Sequence, residues 1–474
     1  MGSDLLLSVT DLPRRWILRG VAALFVVTML VSAIGATVAY DPVTVGSGNV
    51  AQPANGSTLV AVQGFHIEGQ QSKKKPARLF MFNETANRTW KYNGSGVLSN
   101  WFYDADPLPD GDILAVNTIR ENGHAKTLVY ELDPETKRRM MPGTNRNGSI
   151  KFNISDTHDV ELINGDQLLV ANMREGYNDK VFIYNVTTDR FDWIWRFRNH
   201  YPRSTDGGVK KDWTHVNDVD KIGPGKYMLS PRNFDQVIVV DRETKNITLR
   251  LGEDDAHDIL DEQHNPAYLE TEDGKPVFLV ADSENDRVVE YTCFNRSGAT
   301  CDWERTWEVG TNGSLNWPRD ANRLPNGNTL ITDSLNHRVI EVTPEGEVVW
   351  EAYAPWAPFS AHRIAYGNEN VTSPTMHDLG VEGSYAISNS TGGTFPQWVH
   401  ATFGGAPVIG DPAGEFADLW AGATPWIRPV WMGSWGLAYL TFGTLLVLVW
   451  GGAELVYQRR RIADRVRTVT ARAR

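Results

Sequence analysis

The chain has 474 residues with 46 Lys and Arg against 58 Asp and Glu, which gives a formal net charge of −12 at neutral pH. A chain of this length can bury a large core and is too long for one small domain. Its acidic surface would repel a phosphate backbone, so the composition argues against a nucleic-acid-binding protein.

Two uncharged apolar segments, residues 21–40 and 429–453, are each long enough to cross a bilayer as a helix. Arginines precede the first segment and follow the second, which places both termini in the cytoplasm by the positive-inside rule. A cleaved signal peptide is the alternative for the first segment, because small residues near its end could precede a cleavage site.

The two segments predict five regions in chain order. These are a cytoplasmic N-terminus (1–15), a transmembrane helix or signal anchor (16–40), an extracellular domain with a C-terminal linker (41–427), a second transmembrane helix (429–457) and a basic cytoplasmic tail (458–474).

The region between the apolar segments is acidic and rich in glycosylation motifs. Residues 41–427 hold 35 Lys and Arg against 54 Asp and Glu, a net charge of −19, and the scarcity of lysine fits a salt-loving organism. Twelve N-x-S/T motifs all fall in this region, which agrees with an exported glycoprotein. They begin at Asn55, Asn83, Asn87, Asn93, Asn147, Asn153, Asn185, Asn246, Asn295, Asn312, Asn370 and Asn389.

The only two cysteines, Cys293 and Cys301, lie eight residues apart in "CFNRSGATC". Outside the cell we expect them to form a disulfide across a hairpin, with two free thiols as the alternative.

A strand theme repeats six times along the extracellular region. The strands "TLVAVQ", "DILAVN", "QLLVAN", "KYMLSP", "VFLVAD" and "TLITDS" recur every 51 to 59 residues, and most are followed by a second strand of alternating polarity. Such a period, without helical periodicity, predicts an all-β, six-bladed β-propeller; a sandwich or two stacked β domains would not require it.

Aromatic residues fall where the outer strands of the blades are expected, and we predict that they pack between blades. They are Trp90, Trp193, Trp195, Trp303, Trp307 and Trp350. Residues 351–427 are less regular, and we expect them to close the ring and link to the second membrane helix.

Polar residues precede the repeated strand in four units, in loops that should converge at one end of the central channel. They are His158 and Asp159 in "DTHDVE", His215, Asn217 and Asp218 in "WTHVNDV", His264 and Asn265 in "QHNPAY", and Arg319 and Asp320 in "WPRDAN". The second unit offers only acids, in "WFYDADPLPDG". Asp159, Asp218 and Asp320 are expected to hydrogen-bond backbone amides.

Three histidines at equivalent positions point at a common axis, and Arg232 in "SPRN" adds a fixed positive charge. Two chemistries follow. Three imidazoles could bind zinc. Alternatively, Arg and His could bind a sulfate or phosphate ester that a neutral imidazole attacks as a nucleophile.

The motifs "THDVE", "WTHVNDV", "YMLSPRN" and "QHNPAY", in this order over about residues 100–350, resemble the arylsulfate sulfotransferase family, whose members use no nucleotide sulfate donor. The resemblance implies a six-bladed propeller. It also implies that His264 is transiently sulfated, that His215 and Arg232 hold the sulfuryl oxygens and that His158 is a further active-site histidine.

The resemblance implies an aryl sulfate donor, a phenol or other hydroxyl acceptor and no metal or nucleotide cofactor. His264 would attack sulfur, and the acceptor would then take the sulfuryl group. For substrate binding we expect Trp213 to form an aromatic wall, Asn217 to fix the loop or the imidazole, and Asn265 and Arg319 to contribute from their loops.

Two other interpretations remain open. The segments "ENDRVVEY" and "LNHRVIEV" resemble NHL repeats, which would make the protein a cell-surface propeller that binds a protein, glycan or lipid. A metal-dependent lyase or lactonase could use the same scaffold. His257, seven residues before His264 and beside an Asp, is the alternative nucleophile.

Overall fold

A computed structural model describes residues 13–39, 45–64, 75–94, 99–310, 313–367, 372–390 and 393–472. By internal contacts the chain forms two units, a helical unit made of both ends of the chain and a strand-rich unit over Val43–Ala423. The first twelve residues and the glycosylation motifs at Asn312 and Asn370 lie outside the described residues.

The strand-rich unit is a six-bladed β-propeller, as predicted. Blade one consists of β26 (Pro358–Arg363), β2 (Thr58–Val62), β3 (Arg78–Phe82) and β4 (Arg88–Tyr92). Blade two consists of β5 (Ser99–Pro107), β6 (Ile113–Glu121), β7 (His124–Leu132), β8 (Arg139–Met140) and β9 (Ile150–Phe152). Blade three consists of β10 (Val160–Ile163), β11 (Gln167–Asn172), β12 (Lys180–Asn185) and β13 (Arg190–Arg196).

Blade four consists of β14 (Val216–Gly223), β15 (Lys226–Pro231), β16 (Gln236–Asp241) and β17 (Ile247–Gly252). Blade five consists of β18 (His264–Glu270), β19 (Pro276–Asp282), β20 (Arg287–Ser297), β21 (Thr300–Val309) and β27 (Gly383–Tyr385). Blade six consists of β22 (Pro318–Arg323), β23 (Thr329–Asp333), β24 (Arg338–Val342), β25 (Val348–Tyr353) and β1 (Gly46–Val50).

The ring is closed by two blades that each combine strands from both ends of the domain: β1 pairs antiparallel with β25 at the outer edge of the sixth blade, and the first blade takes its innermost strand from the C-terminal side. β26, from the C-terminal side, pairs antiparallel with β2, so the innermost strand of the first blade comes last in the chain. The expected closure therefore lies at Pro358–Arg363, and it leaves this blade without a free inner edge.

Each strand sits between two hydrophobic layers because its two faces contact different neighbouring blades. In β15, Tyr227 and Leu229 pack in the layer between blades three and four, whereas Met228 packs between blades four and five. Six such layers, one per pair of neighbouring blades, form the core. Successive side chains of a strand point to opposite faces, and both faces are buried here. Apolar residues therefore occupy successive positions, which produces the apolar runs of the sequence.

The six tryptophans predicted to pack between blades lie in the fourth strands of their blades, counted from the channel: β4, β13, β21 and β25. Each indole N–H donates to a backbone carbonyl oxygen of an adjacent blade, for example Trp193 to Arg242 at 2.9 Å and Trp307 to Pro344 at 2.7 Å. A buried indole needs such an acceptor, so these residues join apolar packing to a blade-to-blade hydrogen bond.

The segment after the ring closure is more ordered than the expected linker. It contains α2 (Met376–Leu379), α3 (Phe395–Phe403) and α4 (Gly410–Ile427), besides the edge strand β27. Thr394 and Gln397 form a capping box at the start of α3, which explains why a helix begins there.

The helical unit contains α1 (Arg14–Val38) and α5 (Ser434–Arg472), which pack against each other. Arg19 of α1 pairs with Glu454 of α5. Both helices contain segments long and apolar enough to cross a membrane, Arg14–Val38 and Ser434–Arg460. α5 continues through residues 458–472 of the predicted tail, where Arg and Ala favour a helix.

Candidate active site

The polar residues singled out in the sequence lie at the beginnings of the innermost strands. From the sequence we expected these residues in loops before the first strand of each blade. The apolar strands that repeat in the sequence are instead the second strands of the blades, so the polar residues belong to the innermost strands that precede them. His158 lies two residues before β10, and His215 directly precedes β14. His264 opens β18 and Arg319 lies in β22. The error arose because these inner strands are short and polar, and strands facing a channel lack the apolar alternation that reveals a strand.

Every blade contributes one side chain to a cluster at this end of the channel. To His158, His215, His264 and Arg319 the structure adds Tyr103 of β5 and Phe359 of β26. The Tyr103 and His158 ring centroids are 3.9 Å apart, those of His158 and His215 are 5.0 Å apart, and those of His264 and Phe359 are 5.8 Å apart. We call these six residues the channel cluster.

Arg232 joins the channel cluster from the short helical turn that follows β15. Its Nη1 lies 3.4 Å from His215 Nε2, and its Nη2 donates to the Glu262 carboxylate. Arg319 stacks its guanidinium 3.8 Å from the ring centroid of Trp317. Two arginines therefore face the histidines, one held by a carboxylate and the other by an aromatic ring.

His264 is held with its Nδ1 proton fixed. Nδ1 lies 3.1 Å from the Glu262 carbonyl oxygen, which can only accept, and 2.8 Å from Ser283 Oγ. The Ser283 hydroxyl is itself committed as a donor to the Pro318 carbonyl oxygen at 2.7 Å. Nδ1 therefore carries the proton, and the Nε2 lone pair of neutral His264 is available to an electrophile.

His215 has a carboxylate behind it. Its Nδ1 lies 2.7 Å from Asp212 Oδ2, which leaves Nε2 pointing at Arg232. A carboxylate in this position orients the ring and stabilises the imidazolium when Nε2 takes up a proton. His215 can thus donate or accept a proton, a role to which His264, bonded to a carbonyl oxygen, is less suited.

Burial and neighbouring cations lower the pKa of all three imidazoles. Burial lowers the pKa of His158 and of His264 well below the usual value, and the surrounding arginines and histidines lower it further. Burial and Arg232 lower the pKa of His215, which Asp212 partly opposes. Burial lowers the pKa of Arg319 to about 9, so that guanidinium stays charged at neutral pH. The cluster therefore combines a charged guanidinium with imidazoles whose pKa values are lowered.

Unusual backbone conformations occur at the same place. His215 has φ 42° and Trp317 has φ 53°, the left-handed region that bulky residues rarely occupy. Residues in such conformations concentrate at functional sites, where the surrounding structure holds them.

Three of the expected residues do not join the channel cluster. Trp213 is fully buried, packs on Tyr177 and Phe234 and donates its indole N–H to the Thr205 carbonyl oxygen, so it cannot form a substrate wall. Asn265 lines an acidic cavity of the channel instead. Asn217 donates to the Gln263 carbonyl oxygen at 2.9 Å and fixes the backbone next to His264, one of its two expected roles.

The aspartates also differ from the expectation in part. Asp159 and Asp320 accept hydrogen bonds from the backbone N–H groups of Val219 and Ala361, at 2.7 and 2.8 Å, each on the inner strand of the next blade. They accept from amides as expected, but they bridge blades rather than close turns. Asp218 lines the acidic cavity.

His257 lies apart from the channel cluster. It is exposed, and its nitrogens lie 3.4 Å from Asp235 Oδ2 and 3.9 Å from Asp261 Oδ2. Cys293 and Cys301 form a disulfide between β20 and β21.

Zinc bound by the three histidines finds no support in the geometry. Over the part of the chain that the structure describes, three groups of His and carboxylate residues bring their ligand atoms within 4.8 Å of one another. None of these groups contains His158, His215 or His264.

A cavity of about 790 Å³ lies next to the channel cluster. Its lining includes Arg120, Lys126, Lys211 and the pair Arg174 and Asp156. Asp156 also accepts the Tyr103 hydroxyl at 2.6 Å, so a single residue separates the cavity from the rings of the cluster. Basic residues make the cavity suited to anions, in contrast to the acidic composition of the domain.

Sequence reasoning missed Tyr103, Phe359, Trp317 and Asp212. Tyr103 could have been found, since it precedes Asp104 just as His158 precedes Asp159 and Arg319 precedes Asp320. Phe359 gave no such signal, because its blade is assembled from both ends of the domain.

Solved structures similar to this chain are other propellers of low similarity. A protein of unknown function from Bacteroides caccae is 14% identical, with 70% of this chain and 98% of that chain covered and a TM-score of 0.39. The periplasmic gluconolactonase PpgL from Pseudomonas aeruginosa is 12% identical, with 65% and 98% covered and a TM-score of 0.41. Virginiamycin B lyase from Staphylococcus aureus is 8% identical, with 60% and 85% covered and a TM-score of 0.34. At these values none supports an argument about function.

No curated protein matches the chain. A family model does match, that of the arylsulfotransferases (ASST), over residues 187–354, which include His215, Arg232, His264 and Arg319. The match confirms the resemblance predicted from the motifs: residues 187–354 are similar to the arylsulfotransferase family.

Proposed function

We propose that the protein transfers a sulfuryl group from an aryl sulfate to a hydroxyl acceptor through a sulfated His264. The convergence of neutral His264 with His215, Arg232 and Arg319 at one end of the channel carries the proposal. An anionic ester needs the two guanidinium groups, and a covalent exchange needs the unprotonated imidazole.

In the first step the His264 Nε2 lone pair forms a bond to sulfur while the bond from sulfur to the aryl oxygen breaks. The phenolate leaves with that electron pair and takes a proton from His215, whose imidazolium form is favoured by Asp212 and by the negative charge of the bound ester. Arg232 and Arg319 stabilise the negative charge on the sulfuryl oxygens. Tyr103 and Phe359 supply aromatic surface close to the site.

In the second step an acceptor hydroxyl attacks sulfur and the bond to His264 Nε2 breaks. His215, now neutral, takes the proton of the hydroxyl, which restores both histidines to their starting states. The basic cavity beside Asp156 offers an approach for the anionic donor, so Lys211 and Arg174 are expected to affect its KM. For the physiological setting, we propose anchoring by α1 and α5 with the propeller outside the cell.

The first experiment follows chromogenic aryl sulfate turnover and the intact mass of the protein, with and without added phenol. We expect a sulfuryl adduct that phenol discharges, loss of the adduct in His264→Gln, and turnover lowered by about 10³-fold or more. His257→Gln is the matched control, because it changes a histidine beside carboxylates outside the channel cluster.

An adduct that persists in His264→Gln and disappears in His257→Gln would move the nucleophile to His257. Folded wild-type protein that forms no adduct and releases no phenol would favour a binding propeller. Turnover that requires added metal would favour a lyase or lactonase.

A further inference from the structure

The central channel contains a second buried polar site next to the channel cluster. It is a cavity of about 20 Å³, enough for one particle of the size of a water molecule. Its lining comes from all six inner strands and includes Asp104, Asp106, Asp159, Asp218, Asp220 and Asp320, besides Asn265, Asn322 and His362. The proposed transfer reaction uses none of the six aspartates.

Asp104 and Asp106 of β5 and His362 of β26 form a compact ligand set within this cavity. One ligand atom of each residue lies within 4.8 Å of those of the other two, and all three residues are buried. β5 and β26 are the inner strands of neighbouring blades, so the set spans the blade that closes the ring. An ion between them would need only small movements to reach coordination distances.

His362 gives an independent indication of a ligand. Its side chain is 7% exposed, and neither Nδ1 nor Nε2 has a hydrogen-bond partner among the described residues. The nearest carboxylate oxygen, Asp106 Oδ1, lies 3.8 Å from Nε2. Buried polar groups almost always have partners, so an imidazole that faces carboxylates across a cavity without touching them is exceptional.

The charge of the residues inside the cavity also indicates a bound cation. Six aspartates line the cavity, and the residues that line it include neither Lys nor Arg. Like charges buried together must be neutralised by protons or by a cation. A divalent cation would neutralise two of them at once.

We propose that Asp104, Asp106 and His362 bind one divalent metal ion inside the channel. Two carboxylates and one imidazole form a mixed ligand set that suits Mn²⁺ or Zn²⁺ better than Ca²⁺, which prefers oxygen ligands alone. The ion links β5 to β26 and so stabilises the closure of the ring. It also positions the cluster above it, because Tyr103 precedes Asp104 and Phe359 lies on the same strand as His362.

The site is structural and supplies no chemistry to the transfer reaction, so its test does not depend on the proposed function. The full-length protein, purified in detergent, is analysed for bound metal by mass spectrometry before and after treatment with a chelator. Its Tm is then measured with added Mn²⁺, Zn²⁺ or Ca²⁺. We expect about one ion per chain, a lower Tm after chelation, and a recovery of about 5 °C with Mn²⁺ or Zn²⁺.

The variants Asp106→Asn and His362→Gln preserve shape and remove a ligand. Both should lose the bound ion and the response of the Tm to metal. His257→Gln, at the partly exposed group with Asp235 and Asp261, should keep both. A wild-type protein without bound metal and without a metal-dependent Tm would overturn the proposal, as would an unchanged response in the two variants or a response to Ca²⁺ alone. If neither variant folds, the wild-type measurements decide.

Discussion

At the scale of single residues, two histidines of the channel cluster differ in the groups to which their Nδ1 atoms are bonded. His264 gives its Nδ1 proton to a carbonyl oxygen, whereas His215 faces the Asp212 carboxylate. The first arrangement leaves a neutral nucleophile, and the second stabilises a ring that gains and loses a proton.

This difference predicts how Asp212→Asn should behave. Without the carboxylate the His215 imidazolium loses its stabilisation, so we expect kcat/KM to fall by about 10²-fold. The loss should be larger for phenyl sulfate than for 4-nitrophenyl sulfate, because the poorer leaving group depends more on protonation. Asp206→Asn, in a surface pair with Lys210, is the control. Equal losses for both donors would indicate a purely structural role for Asp212.

The low pKa of His264 predicts the pH profile. Attack on sulfur requires unprotonated Nε2, so kcat/KM for the donor falls as the pH drops through the pKa of His264 in the free enzyme. Burial, Arg319 and Arg232 hold that pKa well below its usual value. The acidic limb should therefore lie below pH ~6.5. An acidic limb at or above pH ~6.5 would mean that the pKa of His264 is set by a carboxylate and not by Arg319.

At the scale of elements, hydrogen bonds from tryptophan side chains connect neighbouring blades around the ring. Trp350 of β25 donates to the Glu84 carbonyl oxygen at 3.1 Å, and its ring lies 4.1 Å from the Arg363 guanidinium carbon. Trp350 thereby joins the sixth blade to the first through two contacts, one with the turn between β3 and β4 and one with β26.

Trp350→Phe removes the hydrogen bond and part of the packing. We expect a loss of about 2 kcal/mol in the free energy of unfolding, measured by urea titration with circular dichroism in detergent. Trp398→Phe, at a ring that is 45% exposed, should change stability by less than about 0.5 kcal/mol. Similar losses in the two variants would show that the closure does not depend on Trp350.

At the scale of the whole molecule, an acidic propeller lies in sequence between two apolar helices. The ten described glycosylation motifs have exposed or half-buried asparagines, which is compatible with modification outside the cell. Arginines next to the outer ends of both apolar segments predict cytoplasmic termini.

The orientation can be read by labelling single thiols, because the only two cysteines of the chain are joined to each other. Thr187→Cys lies on an exposed turn of the propeller, and Ala463→Cys lies in α5 beyond the apolar segment. In intact cells a membrane-impermeant maleimide should label only Thr187→Cys, and Ala463→Cys should react after permeabilisation. The reverse pattern would place the propeller in the cytoplasm, and the unmodified chain is the background control.

The sequence alone determined the propeller fold, the number of blades and four of the six side chains of the channel cluster. A strand buried on both faces needs apolar residues at every position, and six such strands at a constant spacing leave few other folds. His158, His215, His264 and Arg319 were recognisable because their blades repeat one local pattern.

Only the tertiary structure decided which side chains meet. Trp213 belongs to a motif of the site yet packs in the core, because the chain bends over residues 211–214 and His215 has φ 42°, so Trp213 and His215 do not share a face as they would in a strand. Phe359 and His362 reach the channel from a strand near the end of the domain, since the ring closes by pairing that strand with β2. Contacts made by closing a ring join residues about 250 positions apart, such as Tyr103 with Phe359, and no local pattern in the sequence records them.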